Sequence, residues 1–261
     1  MFKKIFSLSF ICVALFSLAG CSEEKSGFIV KVAVSPDMPP MLYEKDGKIV
    51  GADYDIFNAF CKKQGCSMQV TAYEFKDMLN AVADGKADVA FSGISITDER
   101  QKVMDFSTPY FYNDWHFVSM SKDVKPIKNL SELKQYSLAY PKGMVYDELV
   151  KWDLEPKSYY SRSQVKLYPS FTEIIEDLKN RKLDLTVMDE PVYRFLKKSN
   201  PNLPVESVYT FAERDIYGFA FAKGSPLREK FNKFLADLGP KKIKDMIDHA
   251  YSYWKLNAHV E

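Results

Sequence analysis

The segment Ser92-Gly93-Ile94-Ser95-Ile96-Thr97-Asp98-Glu99-Arg100 gathers groups able to hold a small charged molecule. It follows the short apolar run Ala87 to Phe91, so it reads as a strand ending in small and hydroxyl residues. Thr97 is a good N-cap for a following helix, and unpaired backbone N–H groups at a helix start favour an anion. Arg100 can clamp a carboxylate through two parallel hydrogen bonds. Its alternative is to pair with Asp98 or Glu99 on a solvated helix face. Farther along, Asp189 is an acid at the end of another apolar run, suited to an ammonium. An anion-seeking group and a cation-seeking group on separate strand ends match the head of a zwitterionic amino acid.

Catalytic chemistry has few carriers. There are three histidines, His116, His249 and His259, and no GxSxG, HExxH, GxGxxG or GxxxxGK[ST] motif. His116 reads as structural rather than as a base. No metal-ligand cluster and no cofactor motif is present, so neither metal nor cofactor is expected. The net charge of +1 gives no electrostatic footprint for nucleic acid. With 261 residues and 46% apolar content, the chain is long enough for one large globular unit or two smaller ones.

The elements that must position these groups alternate in type. Phe28 to Val34 reads as a buried strand. Asp53 to Gln64 reads as a helix with Ile56, Phe57 and Phe60 on one face, stopped by Gly65. Val70 to Tyr73 is a short strand; Lys76 to Asp84 is a helix closed by Gly85. Strand and helix alternate to about residue 200, which predicts an α/β fold with largely parallel sheets. Near the end, Ser225-Pro226 opens a helix that Gly239-Pro240 closes, and a last helix carries Ile243, Met246, Ile247, Ala250, Tyr251 and Trp254.

Leu79 to Val89 is echoed 96 residues later by Ile175 to Leu185. Apolar positions, a lysine and an aspartate coincide, and each copy reads as helix, tight turn, strand. Two similar α/β lobes would each present a strand C-terminal edge, where open α/β sheets bind ligands.

The N-terminus reads as a targeting segment. Lys3 and Lys4 precede Ile5 to Ala19, an apolar run of 15 residues, shorter than the roughly 20 of a membrane span. Leu18-Ala19-Gly20-Cys21 resembles a bacterial lipobox, which makes residues 1–20 a lipoprotein signal peptide and Cys21 the lipidated first residue. That implies an exported, lipid-anchored protein, periplasmic or at the cell surface. Cys12 leaves with the signal. Cys61 and Cys66 then sit in an oxidising compartment, where a disulfide or a pair of free thiols can form.

Met38-Pro39-Pro40-Met41, Gly51 to Ile56, Leu79 to Asp88, Ser92 to Arg100, Asp105 to Tyr110 and Val187 to Glu190 together resemble the extracellular solute-binding proteins of polar amino-acid ABC transporters, family 3. The resemblance covers nearly all of the mature chain. It implies a two-lobed periplasmic-binding-protein fold, with lobe 1 at 28–113 plus 217–261 and lobe 2 at 114–216. Two crossing strands would lie near Tyr112–His116 and Asp215–Phe219. It implies a monomer that binds a small amino acid and hands it to an inner-membrane ABC permease. Position by position, Arg100 would take the α-carboxylate with the hydroxyl and N–H of Ser95, and Asp189 the α-ammonium. Ser92 and Gly93 would add strand-end groups. Phe75 would cover the ligand side chain, and Gly143 would begin a second-lobe helix whose N–H groups close on the carboxylate.

Three positions depart from the family. Met38 stands where an aromatic is common. Met144 and Val145 replace hydroxyl residues after Gly143, so Val145 keeps only its N–H. Ser35 stands where some binders of basic amino acids carry an acid, although other arginine binders have serine there too. Cys61 and Cys66 resemble a disulfide of the arginine, lysine and histidine binders, with shorter spacing, which leans the ligand toward arginine or another basic amino acid. The same fold hosts prephenate or arogenate dehydratases, with Glu190 as the candidate acid, and a ligand-sensing lipoprotein is a third reading. Neither displaces the expectation of a non-enzymatic binder.

Overall fold

The computed structural model describes residues 27–252. The segment read as a signal peptide, Cys21 with its expected lipidation, and Trp254 lie outside the described residues.

The chain opens with β1 (Phe28–Val34), β2 (Asp37–Met38), β3 (Leu42–Lys45) and β4 (Lys48–Val50), then α1 (Ala52–Gln64), β5 (Cys66–Ala72), α2 (Phe75–Ala83), β6 (Val89–Phe91), α3 (Asp98–Gln101) and β7 (Met104–Phe106). A second run follows: β8 (Phe111–Ser119), β9 (Leu138–Pro141), α4 (Tyr146–Leu149), β10 (Lys166–Tyr168), α5 (Phe171–Lys179), β11 (Leu185–Asp189), α6 (Glu190–Ser199) and β12 (Glu206–Tyr217). The chain then returns as β13 (Ala220–Ala222) and α7 (Pro226–Ala250).

Two five-stranded sheets carry the fold, ordered β5-β1-β6-β13-β7 and β10-β9-β11-β8-β12. In each, three parallel strands are followed by two that run antiparallel to their neighbours. The echoed segments occupy matching places. Both α2 and α5 are nine residues long, and each feeds the third strand of its sheet. The turns match bond for bond. Lys86 N–H donates to Ala81 O at 2.8 Å, and Lys182 N–H to Asp177 O at 2.9 Å. Asp88 accepts the Lys31 N–H and Asp184 the Ser137 N–H, each at 2.8 Å. Gly85 has φ 69° and its counterpart Arg181 has φ 56°, so the backbone needs the left-handed turn at both places.

The first sheet takes its core from both ends of the chain. In α1 the residues Ile56, Phe57 and Phe60 are buried, acids stand in the first turn, lysines in the last, and left-handed Gly65 ends the helix. Phe57 and Phe60 pack against Phe231 of α7 at ring separations of 5.4 and 5.2 Å. Phe219, after β12, packs on Phe231 at 4.6 Å. Gly239, with φ 76° and ψ 156°, breaks α7 where a stop was expected. Cys61 and Cys66 form a disulfide joining the last turn of α1 to the start of β5.

Two expectations need correction. β5 begins at Cys66 rather than Val70, because it pairs with β1 along seven residues, from Phe28↔Cys66 to Val34↔Ala72. It is an edge strand, so its polar alternation of Ser67, Gln69 and Thr71 concealed it. β1 is buried only toward its end; Phe28 and Ile29 are exposed.

Candidate functional site

The first edge of the site follows β6. The Ser92 hydroxyl donates to Ser35 O at 2.5 Å, and Gly93 N–H donates to Asp53 Oδ2 at 2.8 Å. Tyr110 OH donates to the other Asp53 oxygen at 2.6 Å. Burial pushes the Asp53 carboxyl up to about 7, opposed by these two donors. Gly93 has φ 59°, and a Cβ there would sit 3.2 Å from the Tyr217 ring, so the position needs glycine. Gly218 N–H donates to Ile94 O and Ile96 N–H to Ile216 O, which ties this segment to the end of β12.

Thr97 caps α3 as expected, accepting the Arg100 N–H at 3.2 Å. The helix is only four residues long, however, so its N-terminus adds little to anion binding. The positive charge comes from Arg100. Its guanidinium does not turn to Asp98 or Glu99; it donates to Ser95 O at 2.9 Å and across the cleft to Gly143 O at 3.2 Å. It also lies 5.5 Å from the centre of the Phe75 ring. Burial lowers its pKa to about 10, against the raising pull of Asp215, Glu148 and Asp189, so it stays cationic at neutral pH. The Ser95 hydroxyl donates to Asp215 Oδ2 at 2.5 Å.

The second edge follows β11. Asp189 ends that strand at the place Gly93 holds after β6, 96 residues earlier, and it is buried. It stands at the N-cap of α6 without capping it. Asn113 on β8 takes that role: its Oδ1 accepts the Glu190 N–H at 3.2 Å, while its Nδ2 donates to Asp189 Oδ1 at 2.6 Å. Burial, then the neighbouring Asp215 charge, pushes the Asp189 carboxyl up to about 7. Asn113 and the hydroxyls of Tyr146 and Tyr217 draw it back. Among the described residues this buried carboxyl makes no direct ion pair; Arg100 acts on it only at longer range, and an ammonium would supply a direct cationic partner.

Two cavities meet at Met144, which lines both; Arg100 lines one of them, and Asp189, Ser92 and Gly93 line neither. One, of about 730 Å³, is bounded by Arg100, Trp115, Gly143, Val145, Glu148 and Asp215. The other, of about 370 Å³, has Met38, Phe75, Met144 and Phe171 as walls, with Asp37 and Glu74 among its lining. Met38 is buried and packs with the second sheet's core, so it bridges the lobes. Gly143 does not start a helix: α4 begins at Tyr146 with Val145 at its N-cap, and runs four residues before a π turn at Val150–Leu154. Gly143 therefore presents its carbonyl to Arg100 from a turn with φ 83°.

Sequence reasoning did not name Asp53, Asn113, Trp115, Tyr146, Asp215 or Tyr217 as site residues. The signal for Asn113 and Asp215 was a polar residue inside each expected crossing; the two pair directly, Asp215↔Asn113, where β8 and β12 run side by side. Glu190 faces away into a different contact. It meets His116 Nε2 at 2.7 Å, while His116 Nδ1 bonds Ser207 and Thr210 hydroxyls and its ring stacks on Tyr193. His116 is thus a structural histidine, and Glu190 is held by it. Among the described residues no group of three or more His, Cys, Asp or Glu is placed to hold a metal ion.

The model of the bacterial extracellular solute-binding proteins, family 3, matches residues 30–252. The arginine-binding extracellular protein ArtP of Bacillus subtilis is 28% identical over 91% of this chain and 93% of its own. Among solved structures, an ancestral arginine-binding protein bound to arginine is 32% identical, with a TM-score of 0.76 over 88% of this chain and 99% of that one. The Streptococcus pneumoniae amino acid ABC transporter substrate-binding protein AbpA, bound to L-arginine, is 30% identical, with a TM-score of 0.76 over 87% and 95%.

Proposed function

The chain belongs to the bacterial extracellular solute-binding proteins, family 3, and on that premise we propose that it captures a free L-amino acid, arginine or another basic one, for an inner-membrane ABC permease. The observation that carries this reading is the pair of Arg100 on α3 and Asp189 at the end of β11, opposite charges near enough to act on each other and partly or fully buried. Arg100 takes the α-carboxylate, helped by Ser95. Asp189 takes the α-ammonium, with Ser92 and Gly93 completing the first edge. Phe75, Met38, Gly143 and Val145 enclose what remains. The lobes divide at 28–113 plus 217–261 and 114–216. The arginine-bound relatives support the basic side chain.

A thermal-shift screen against the common L-amino acids tests this. A ligand at 100 times its Kd adds about 2.7 kcal/mol, or about 5–10 °C in Tm for a chain of this size. Arginine, lysine or histidine is expected to give such a shift. The proposal fails if no L-amino acid moves the Tm by more than about 1 °C.

The same reading makes the mature protein a monomer held to a membrane by lipid on Cys21, supported by the lipobox resemblance of Leu18 to Cys21. Cys21→Ala is expected to yield released or uncleaved protein. Fractionation and intact mass decide it; membrane anchorage and mass that differ from wild type by nothing but the substitution contradict it.

A further inference from the structure

We propose that Asp37 and Glu74 select a cationic ligand side chain, and that Asp37 couples this selection to closure of the two lobes. The inference rests on reading the cleft as an amino-acid site. The cavity beside Phe75 has the shape of a preference: apolar walls from Met38, Phe75, Met144 and Phe171 suit a run of methylenes. Two of its lining residues are acids, Asp37 and Glu74, and none is Lys, Arg or His. An acidic side chain would meet like charge there, and a neutral one would supply no counter-charge to the two carboxylates. A guanidinium or ammonium at the end of a flexible aliphatic stem satisfies both the walls and the acids.

Asp37 does more than contribute charge. It sits on β2 of the first lobe, yet its Oδ2 accepts the Phe171 N–H at 3.2 Å, 134 residues away, at the start of α5 in the second. Ser170, the N-cap of α5, makes no side-chain bond of its own, so Asp37 caps the opposite lobe's helix. The contact exists only while the lobes are together. Burial raises the Asp37 pKa, the Phe171 N–H lowers it and Glu74 raises it again, so the two acids feel each other. A ligand cation between them favours the ionised Asp37 that makes the better cap. Charge recognition and closure then reinforce one another.

The test compares L-arginine with L-citrulline, whose chain is similar but whose end is neutral. Calorimetry is run on the wild-type protein, on Asp37→Asn, and on the double variant Asp37→Asn with Glu74→Gln. Asparagine keeps an oxygen to accept the Phe171 N–H, so the change removes the charge while a neutral cap remains. Wild type is expected to prefer arginine by on the order of 100-fold, from the loss of the cation shared by half-buried Asp37 and exposed Glu74. The double variant is expected to bring the two ligands within about tenfold, with citrulline binding retained. Wild type that binds citrulline as well as arginine, or binds only neutral amino acids, overturns the inference while leaving the amino-acid site standing. So does a double variant that keeps the full preference for arginine. Equal loss of both ligands in the variants also overturns it, because that marks a structural role. Only wild type that binds no amino acid removes the site itself, and the inference with it.

Discussion

Arg100→Ala is expected to lower the affinity for a free amino acid by about 2–5 kcal/mol, roughly 30-fold to several-thousand-fold. The guanidinium is partly buried at the wall of the larger cavity, between Ser95 O, Gly143 O and the Phe75 ring. When a ligand carboxylate enters, it replaces carbonyl partners with a charged one, and bidentate geometry is available. Removing the guanidinium leaves that carboxylate among Asp215, Glu148 and Asp189, all acids close enough to act on Arg100 now. The loss is thus a lost attraction and an uncovered repulsion. A surface arginine would lose less than about 1 kcal/mol. Calorimetric titration of the variant separates the two cases, and an affinity like that of wild type removes Arg100 from the site.

Asp189→Asn is expected to weaken binding by a similar amount. The substitution keeps size and an acceptor oxygen, so Asn113 and α6 are left in place. What disappears is the only charge change in the pair. In the free protein the carboxyl is raised to about 7 by burial and by Asp215. Its folded pKa thus lies above the unfolded value near 3.8, so the folded state binds the proton more tightly. Free-protein stability from this group is greatest below about pH 4 and falls as pH rises toward 7. Asp53, raised to about 7 by burial, acts in the same direction. An ammonium on Asp189 lowers its pKa and removes that penalty. Ligand stabilisation should grow with pH up to about 7 in wild type, and the Asp189→Asn protein should lose most of that slope.

Much of the frame was legible because its signals are local. Ile56, Phe57 and Phe60 at helical spacing, with Gly65 as the stop, mark α1 without tertiary information. The Leu79–Val89 echo exposed the repeated helix–turn–strand unit, and with it the equivalence of the two strand ends that carry Gly93 and Asp189. Arg100 and Asp189 stood out because a charged side chain following an apolar strand needs a reason to be there. The partners that complete the site were hidden because pairing across the fold brings them together. Asn113 meets Asp189 only after β8 and β11 align, and Asp215 meets Ser95 only after β12 returns along β8. The extent of α3 was equally out of reach: a good N-cap at Thr97 marks a start, whereas the turn into β7 that ends the helix depends on pairing with β13. Gly143 misled for a related reason. Its turn looks like the opening of a helix, but the second lobe uses it to aim a carbonyl at Arg100 and starts the helix at Tyr146.

The zwitterion clamp is tested most directly by counting protons when L-arginine binds. Calorimetry at pH 6.5–7 in two buffers of different ionisation enthalpy gives that number. Proton release is expected, because Asp189 starts near its pKa of about 7 and is held ionised by the ligand ammonium. The release should vanish in Asp189→Asn. No release from wild type, net uptake, or the same release from the Asp189→Asn protein would contradict the assignment of Asp189 to the α-ammonium.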